Sequence, residues 1–215
     1  MLNSLRDVLN ESIQDLYRAE TQLLKALPRM AKAASEPQLK EAFTAHLEET
    51  RNQATRLEKA CEHLGIKAKG KTCAAMKGLL EEGAEVIAEK GAAAAKDAAM
   101  IVAAQKVEHY EIAGYGAART FATILGEEEV ASLLSETLAE EKAADEKLNG
   151  IAESTVNDEA NSEEQDPEED LEADEAAEDA EDEDEDEEEE EAVTPKRKGA
   201  APAKKPITKS GMNKR

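Results

Sequence analysis

Hydrophobic residues recur every three or four positions through the first 156 residues of the chain. This spacing predicts amphipathic α-helices, and no segment alternates convincingly at the period of two that predicts a β-strand. A shorter helix is predicted between the second and third of four long helices. The long helices are predicted over residues 2–34, 36–64, 92–125 and 127–153, and the short one over residues 74–89.

The predicted helix ends carry residues that are typical of helix boundaries. Gly65, Gly91 and Gly126 follow three of the helices, and glycine commonly ends a helix. Ser35 is the expected N-cap of the second helix, with Gln38 three residues later, as in a capping box.

Loop lengths indicate how the four long helices are arranged. Short loops join the first helix to the second and the third to the fourth, whereas a long segment with its own helix joins the second to the third. Such a crossover is typical of ferritin-like bundles and not of simple up-down-up-down bundles. The predicted fold class is therefore all-α, a ferritin-like four-helix bundle with an extra short helix in the crossover.

Charge divides the chain into three segments, within a total of 27 basic and 50 acidic side chains and a net charge of −23. Residues 1–156 are mildly acidic and form the predicted bundle. Residues 157–192 are acidic with no basic side chain, and residues 193–215 are basic and Pro/Ala-rich with no acidic side chain. Self-repulsion and the lack of an apolar face predict a disordered C-terminal tail.

Composition excludes several classes of protein. No apolar run approaches the roughly 20 residues that a membrane span needs, and residues 1–6 lack a secretory hydrophobic region. We therefore expect a cytoplasmic protein with no membrane partner. The acidic surface argues against nucleic-acid binding by the bundle. The basic C-terminus is either a solvating tail or a weak nucleic-acid contact.

The chain has two cysteines, which do not suggest a disulfide framework. Cys61 lies on the buried face of the second helix, where we expect it to pack in the core. Cys73 precedes the short helix, where we expect a more exposed thiol that is open to oxidation.

Carboxylates interrupt the hydrophobic stripe of every long helix. Glu20, for example, lies four residues after Leu16 and three before Leu23. Burying a lone carboxylate costs several kcal/mol, and a group of them adds mutual repulsion. The carboxylates predicted to face inward are Glu20, Glu49, Glu108, Glu111, Glu141 and Asp145.

Three explanations of these carboxylates remain open from the sequence. They are protonated, or their long side chains bend out to solvent, or a cation binds among them. Carboxylates with one or two imidazoles suit Fe or Mn. Carboxylates from four helices meeting at mid-bundle are the layout of dinuclear Fe and Mn proteins, so the third explanation predicts a dinuclear Fe or Mn site.

Four short motifs occur in order on successive long helices. They are Leu16-Tyr17-Arg18-Ala19-Glu20, His46-Leu47-Glu48-Glu49-Thr50, Gln105-Lys106-Val107-Glu108-His109-Tyr110-Glu111-Ile112-Ala113 and Glu140-Glu141-Lys142-Ala143-Ala144-Asp145-Glu146-Lys147-Leu148. These motifs closely resemble the YciE/YciF stress-protein family, also called DUF892, and the resemblance covers about residues 3–156. It implies a ferritin-like bundle, commonly dimeric, related in architecture to rubrerythrin and linked to bacterial stress responses.

The resemblance also implies a set of metal ligands, carried over by position as Glu20, Glu49, Glu108, Glu111 and Glu141. Dinuclear ferritin-like sites usually carry Glu-x-x-His on the second and fourth helices. This chain departs from that pattern, because Asn52 stands where the second helix would supply the histidine. The nearest substitutes, one turn away from the glutamates, are His46 and Asp145. The departure weakens the expectation of iron redox chemistry more than that of metal binding.

The predicted function is that of a ferritin-like stress-response protein with a carboxylate-bridged dinuclear Fe or Mn centre. The resemblance implies ferroxidase activity and a homodimer, and a dinuclear centre predicts oxidation of Fe²⁺ or reduction of peroxide. The alternative is a metal-free helical homodimer that acts as a stress-associated interaction protein through its bundle surface and charged tail. Metal would stabilise the fold in the first case and not in the second.

Overall fold

The first helix, α1, covers Leu5–Ala33. It belongs to a computed structural model that describes residues 2–163 of the chain. Ser4 is the N-cap, and its side-chain oxygen accepts a hydrogen bond from the backbone N–H of Asp7 at 3.2 Å. The predicted hydrophobic stripe of α1 faces the core. Its buried apolar residues are Leu9, Ile13, Leu16, Ala19, Leu23, Leu27 and Met30.

The second helix, α2, covers Pro37–Leu64 and has a different N-cap from the one predicted. The cap is Glu36 and not Ser35, because proline suits the first helical position and disfavours a helical conformation in the residue before it. The backbone N–H groups of Ser35 and Glu36 instead donate to the buried carboxylate of Asp97, over 2.6–3.1 Å. Asp97 thereby ties the α1–α2 loop to the other half of the bundle.

Three further helices follow in the predicted order, and each boundary lies within two residues of its predicted position. They are α3, Ala74–Ala88, α4, Ala93–Ile124, and α5, Glu128–Ile151. A π-helical turn, Ala152–Val156, then leads into α6, Asn157–Glu163. The helical chain therefore continues past residue 156, the predicted boundary between bundle and tail. The remainder of the predicted acidic and basic tail, residues 164–215, lies outside the described residues.

The four long helices form two hairpins, α1–α2 and α4–α5, with α1 beside α4 and α2 beside α5. Tyr110, near the middle of α4, donates a hydrogen bond to Asp15 of α1, whereas Asp97, near the start of α4, contacts Ser35 just after α1. These contacts show that α1 and α4 are antiparallel. Since α2 runs back along α1, α2 and α4 have the same direction, and the crossover through α3 returns the chain along the bundle. This is the predicted ferritin-like arrangement.

Two hydrophobic clusters fill the bundle, and buried polar side chains lie between them. On α1, Glu20 falls between Leu16 of one cluster and Leu23 of the other. On α5, Glu141 likewise falls between Leu138 and Leu148. The same level of the bundle therefore receives a buried polar group from each hairpin.

Apolar side chains outside these clusters are few. In residues 2–163 the exposed large hydrophobic side chains are Leu2, Val102 and Ile124. Across that same range, no helix combines the length and the apolar character needed to cross a membrane.

Candidate metal centre

Four buried side chains converge in the polar layer: His46 of α2, Glu108 and Glu111 of α4, and Glu141 of α5. Each offers one potential ligand atom, and these four atoms all lie within 4.8 Å of one another. The Nε2 atom of His46 is 3.4 Å from Glu108 Oε1 and 3.9 Å from Glu141 Oε2. None of the four residues is more than 6% exposed. The group is therefore a compact set of one imidazole and three carboxyl groups.

Helical spacing explains why these residues meet. Glu108 and Glu111 are three residues apart on α4, which places both on one face. His46 follows the buried Phe43 by three residues, and Glu141 follows the buried Leu138 by three. Each therefore continues the buried stripe of its own helix toward the bundle axis.

The other nitrogen of His46 is bound by a carboxylate. His46 Nδ1 lies 3.2 Å from Glu49 Oε2, and this hydrogen bond lowers the pKa of Glu49 below its ordinary value. An ionised carboxylate only accepts hydrogen bonds, so Nδ1–H is the donor. In the neutral imidazole, Nε2 then carries the free lone pair, and that is the nitrogen that faces Glu108 and Glu141.

Glu20 lies against the cluster from α1. It is fully buried, and Tyr115 of α4 donates its hydroxyl hydrogen bond to Glu20 Oε1. Charge on Glu20 acts on the pKa of both Glu108 and Glu111, in each case after burial as the larger cause. Glu20 is therefore a fourth buried carboxyl group at the same centre.

Many oxygen atoms of this centre have no hydrogen-bond partner within the described part of the chain. Six carboxyl oxygens are in this state, together with Nε2 of His46. The oxygens are Glu20 Oε2, Glu108 Oε2, both oxygens of Glu111 and both oxygens of Glu141. An unpartnered buried polar atom costs roughly 1–3 kcal/mol, and more if it is charged. Oxygens with free lone pairs around one imidazole nitrogen fit a hard divalent cation.

Burial raises the pKa of the four buried glutamates. The pKa of Glu20, Glu108 and Glu111 lies well above the ordinary value of 4.5, because burial and the neighbouring carboxyl groups both disfavour ionisation. The pKa of Glu141 is also raised by burial, although His46 opposes the shift. Burial and the neighbouring carboxyl groups therefore favour the protonated form of these groups when no cation lies among them.

The nearby Arg56 pairs with glutamates of α5 that are not part of the cluster. Arg56 of α2 bonds Glu140 through two nitrogens, each at 2.6 Å, and pairs with Glu136 at 2.8 Å. Its guanidinium also donates to Thr137. These acceptors on α5 hold the guanidinium, and its charge lowers the pKa of Glu20 by less than burial raises it.

Residues 4–161 of the chain match the family model described as a domain of unknown function, DUF892. The chain belongs to the DUF892 family. Protein YciF of Escherichia coli (strain K12) is 47% identical over 160 residues, which are 74% of this chain and 96% of YciF.

Two solved structures support this membership. The crystal structure of the E. coli stress protein YciF matches with a TM-score of 0.70 at 47% identity, over 73% of this chain and 99% of that one. YcfI from Rhodopseudomonas palustris matches with a TM-score of 0.67 at 41% identity, over 69% and 94% of the two chains. The predicted family and the predicted all-α fold class are both confirmed.

The structure of this DUF892 member brings some predicted site residues together and separates others. His46, Glu108, Glu111 and Glu141 form the cluster, with Glu20 beside them. Glu49 was predicted to face inward, but 48% of its side chain is exposed. The reason is that Glu49 lies at the edge of the α2 stripe, where it reaches His46 from outside.

Asp145 lies outside the cluster. Its Oδ1 accepts a hydrogen bond from Gln105 Nε2 at 3.0 Å and pairs with His109 Nε2 at 3.5 Å. His109 is itself exposed. Asp145 therefore links α5 to α4 at the surface side of the centre.

Two fully buried polar residues, one of them at the centre, were not singled out from the sequence. Tyr115 is fully buried and bonds Glu20, and Gln53 is fully buried with its Nε2 3.2 Å from Glu140 Oε2. Helical spacing indicated the position of Tyr115, since it lies four residues after Glu111 and so on the same face of α4. A tyrosine or glutamine on a buried stripe is too common a core residue to be assigned a role from spacing alone.

The burial of Cys73 differs from what the sequence predicted. It was expected to be exposed, yet it is 2% exposed and its Sγ lies 3.0 Å from the hydroxyl of Tyr110. Asp15 accepts hydrogen bonds from both groups. Cys73 is the N-cap residue of α3, and the packing of that helix against α4 covers the thiol.

Proposed function

We propose that this centre binds redox-active metal, as a dinuclear Fe or Mn site, in a ferritin-like protein of the stress response. The observation that carries the proposal is the convergence of four buried ligand atoms, from His46, Glu108, Glu111 and Glu141, within 4.8 Å of one another. The proposed ligands are Glu20, His46, Glu108, Glu111 and Glu141. They supply carboxylate oxygens and one imidazole, a donor set that suits Fe or Mn better than Zn or Cu.

Glu49 and Asp145 are not metal ligands in the proposal. Glu49 accepts from His46 Nδ1 and so orients the ligand nitrogen, as carboxylates commonly do behind metal-bound histidines. Asp145 is left out of the ligand set, because its carboxylate is bound to Gln105 and His109.

We propose ferroxidase or peroxide-reducing activity for this centre. Fe or Mn held by Glu20, His46, Glu108, Glu111 and Glu141 would supply electrons to an oxidant such as O₂ or peroxide. The glutamates neutralise the metal charge, and Tyr115 holds one oxygen of Glu20 in a fixed direction. The stress-protein character of YciF supports the assignment to a stress response. A homodimer remains a proposal that comes from the family resemblance.

Metal binding is tested first, because the activity depends on it. Glu111→Gln removes one buried carboxylate while preserving the side-chain shape, and Glu146→Gln changes an exposed glutamate on α5 as a matched control. After anaerobic loading of the full chain with Fe²⁺ or Mn²⁺ and desalting, elemental analysis should give stoichiometric metal in wild type and Glu146→Gln. Glu111→Gln should lose it.

The activity is tested on the same loaded proteins. Oxidation of Fe²⁺ by O₂ or peroxide, followed by absorbance in the near ultraviolet, should be faster with wild type and Glu146→Gln than with free Fe²⁺, and Glu111→Gln should give no acceleration. Full metal occupancy in Glu111→Gln would overturn the assignment of the site. Occupancy in wild type without faster oxidation would overturn the activity alone. Failure of wild type to take up metal would favour the metal-free interaction protein.

A further inference from the structure

Gln53 of α2 is a buried polar residue that is not among the proposed metal ligands. Its side chain is 0% exposed, and its Oε1 atom has no hydrogen-bond partner among residues 2–163. An unpartnered acceptor in a protein interior destabilises the fold unless something binds it. The space that this oxygen faces is therefore a candidate position for a cation.

The amide of Gln53 is held in one orientation from the surface side of the bundle. Its Nε2 donates to Glu140 Oε2 at 3.2 Å, and Arg56 holds the same carboxylate through two hydrogen bonds of 2.6 Å. A carboxylate paired with a guanidinium only accepts hydrogen bonds, so the amide nitrogen faces Glu140. The side chain of Glu140 is 27% exposed. The buried Oε1 of Gln53 therefore points away from Glu140 and toward the interior.

The register of α2 and α4 places Gln53 at the level of the proposed centre. The two helices run in the same direction, and His46 of α2 lies level with Glu108 of α4, with 3.4 Å between Nε2 and Oε1. Gln53 follows His46 by seven residues, and Tyr115 follows Glu108 by seven. About two helical turns therefore carry both to the same level. Because Tyr115 donates to Glu20, Gln53 shares a level with the carboxyl group of Glu20.

Electrostatic interactions agree with this placement. Burial is the largest cause of the raised pKa of Glu20, and among the smaller causes the charge of Glu140 raises that pKa and the charge of Arg56 lowers it. Glu140, the hydrogen-bond partner of Gln53, is thus close enough to Glu20 to act on it. The effect of Glu140 is the larger of the two, so this ion pair does not oppose a cation beside Glu20.

The carboxyl groups of the centre form two pairs. After burial, Glu141 is the largest cause of the raised pKa of Glu108, whereas Glu20 is the largest cause of the raised pKa of Glu111. The imidazole of His46 belongs to the first pair, since its Nε2 lies 3.4 Å from Glu108 and 3.9 Å from Glu141. Glu111 is in the same compact cluster as His46, so it lies between the two pairs. The second pair has only carboxyl oxygens, with Gln53 at its level.

Charge balance favours a neutral ligand beside the second pair. The four buried glutamates carry four negative charges when ionised, which equal the charge of two divalent cations, and this step rests on the proposed function. A further buried carboxylate would leave net charge in the interior, and that is costly. The amide oxygen of Gln53 is neutral, and carboxylate and carbonyl oxygens together suit Mn²⁺.

We propose that Gln53 Oε1 is a metal ligand that completes an oxygen-only position with Glu20 and Glu111. The other position of the dinuclear centre is that of His46. The two positions therefore differ in chemistry, because only one of them has a nitrogen ligand. The proposal rests on the proposed function, since it assigns a ligand to the second of the two ions.

Mn²⁺ binding to the full chain, with metal counted by elemental analysis after desalting, tests the proposal. Gln53→Leu removes the amide oxygen with little change in volume, and Asn52→Leu makes the same kind of change at the neighbouring exposed residue of α2. Wild type and Asn52→Leu should bind about two Mn²⁺ ions per chain, and Gln53→Leu about one. The EPR spectrum should change from that of a spin-coupled pair to that of an isolated ion coupled to the nitrogen of His46.

A second variant decides the matter if Gln53→Leu fails to fold. Gln53→Asn keeps a buried amide and draws its oxygen back by one methylene, so it should also bind about one Mn²⁺ ion. Circular dichroism would show which variants are folded. A spin-coupled pair of ions in either folded variant would overturn the assignment of Gln53.

The metal content of wild type separates this proposal from the proposed function. Two ions in wild type and in Gln53→Leu would overturn the role of Gln53 and leave the dinuclear centre standing. Loss of both ions from folded Gln53→Leu would also overturn it, because the position of His46 should remain occupied. No metal uptake by wild type would overturn the proposed function and the assignment of Gln53 together.

Discussion

At the scale of single residues, His46 connects the exposed Glu49 to the buried carboxyl groups of the centre. Glu49 fixes its Nδ1–H from the solvent side, and its Nε2 faces two buried carboxyl groups. This arrangement divides the glutamates of the second and third motifs by role. Under the proposed function, Glu108 and Glu111 bind metal, whereas Glu49 orients the ligand histidine.

Substitution of Glu49 by alanine should therefore weaken metal binding without abolishing it. Removal of a carboxylate behind a ligand histidine typically costs about 10–100-fold in affinity. Competition with a metal-binding dye would measure the affinity, with Glu108→Gln as the comparison that should lose metal altogether. Complete loss of metal in Glu49→Ala, equal to that in Glu108→Gln, would show that Glu49 is itself a ligand.

The cysteines should react slowly in the folded protein. Burial raises the pKa of the Cys61 thiol to about 11 and is also the largest cause of the raised pKa of Cys73. Since the thiolate is the reactive form, both thiols should resist iodoacetamide at neutral pH until the chain unfolds. Mass spectrometry after timed alkylation, with and without denaturant, would show this. Rapid modification of Cys73 in the native protein would contradict the burial described here.

Residue-level prediction from sequence succeeded where helical period alone decides burial. Glu20, Glu108, Glu111 and Glu141 lie in the middle of their stripes, and all four are buried. Glu49 lies at a stripe edge, where rotation of the helix decides between core and solvent. Cys73 depends on how α3 packs in the crossover, which no local pattern encodes.

At the scale of helices, α1 and α4 approach closely beside the centre. A methyl group added at Gly114 of α4 would lie 2.8 Å from Cδ2 of Leu16, which is buried on α1. At Gly116, two residues further on, the same methyl group would meet nothing within 4 Å. Substitution of these two glycines therefore gives a matched comparison of how the close approach of α1 and α4 affects the free energy of unfolding.

Gly116→Ala should stabilise the protein, and Gly114→Ala should destabilise it. Alanine is favoured over glycine in a helix by about 0.5–1 kcal/mol, which is the gain expected at Gly116. At Gly114 the clash with Leu16 should outweigh this gain, because overpacking a core costs typically about 1–3 kcal/mol. Urea unfolding would give both free energies. A gain at Gly114 equal to that at Gly116 would contradict the close approach.

Helix boundaries were predicted from sequence to within about three residues, except at the end of the bundle. The start of α2 shows why the details were harder. Pro37 forces the cap onto Glu36, and the role of Ser35 depends on Asp97, about sixty residues away in the chain. Contacts of that range are invisible to a local pattern. The helical residues 157–163 are polar, so no hydrophobic period marked them as helix.

At the scale of the whole molecule, two hydrophobic clusters enclose a polar layer of buried carboxyl groups. Folding of the metal-free chain buries carboxyl groups whose pKa is raised in the folded state. A group of this kind contributes its full stability below its unfolded pKa, here the ordinary value of 4.5. The contribution is lost as the pH rises toward its folded pKa.

The metal-free protein should therefore become less stable as the pH rises from 4.5, the ordinary pKa of glutamate, toward neutral pH. Addition of Mn²⁺ at the upper end should restore stability, because a cation that binds only the native state shifts unfolding. Thermal unfolding followed by circular dichroism, with and without chelator, would measure both effects. Constant stability of the metal-free protein across this range would contradict the account of the buried glutamates.

The bundle as a whole was predictable because loop lengths and helical period limit the arrangements of four long helices. The long crossover containing α3 distinguished the ferritin-like order from the simple one. A cavity of about 180 Å³ beside the centre, lined in part by Ala42 of α2 and Ala143 of α5, was not predictable. Both alanines are ordinary helix residues in the sequence. They leave an opening only because α2 and α5 place them side by side.

Metal stoichiometry of the full chain tests the central claim most directly. The protein would be prepared without chelator or added histidines, loaded anaerobically with Fe²⁺ or Mn²⁺, desalted and analysed for metal and protein together. A dinuclear site predicts about two metal ions per chain, held by Glu20, His46, Glu108, Glu111 and Glu141. A value near zero after loading would contradict the claim and leave the buried glutamates as protonated groups of a metal-free bundle.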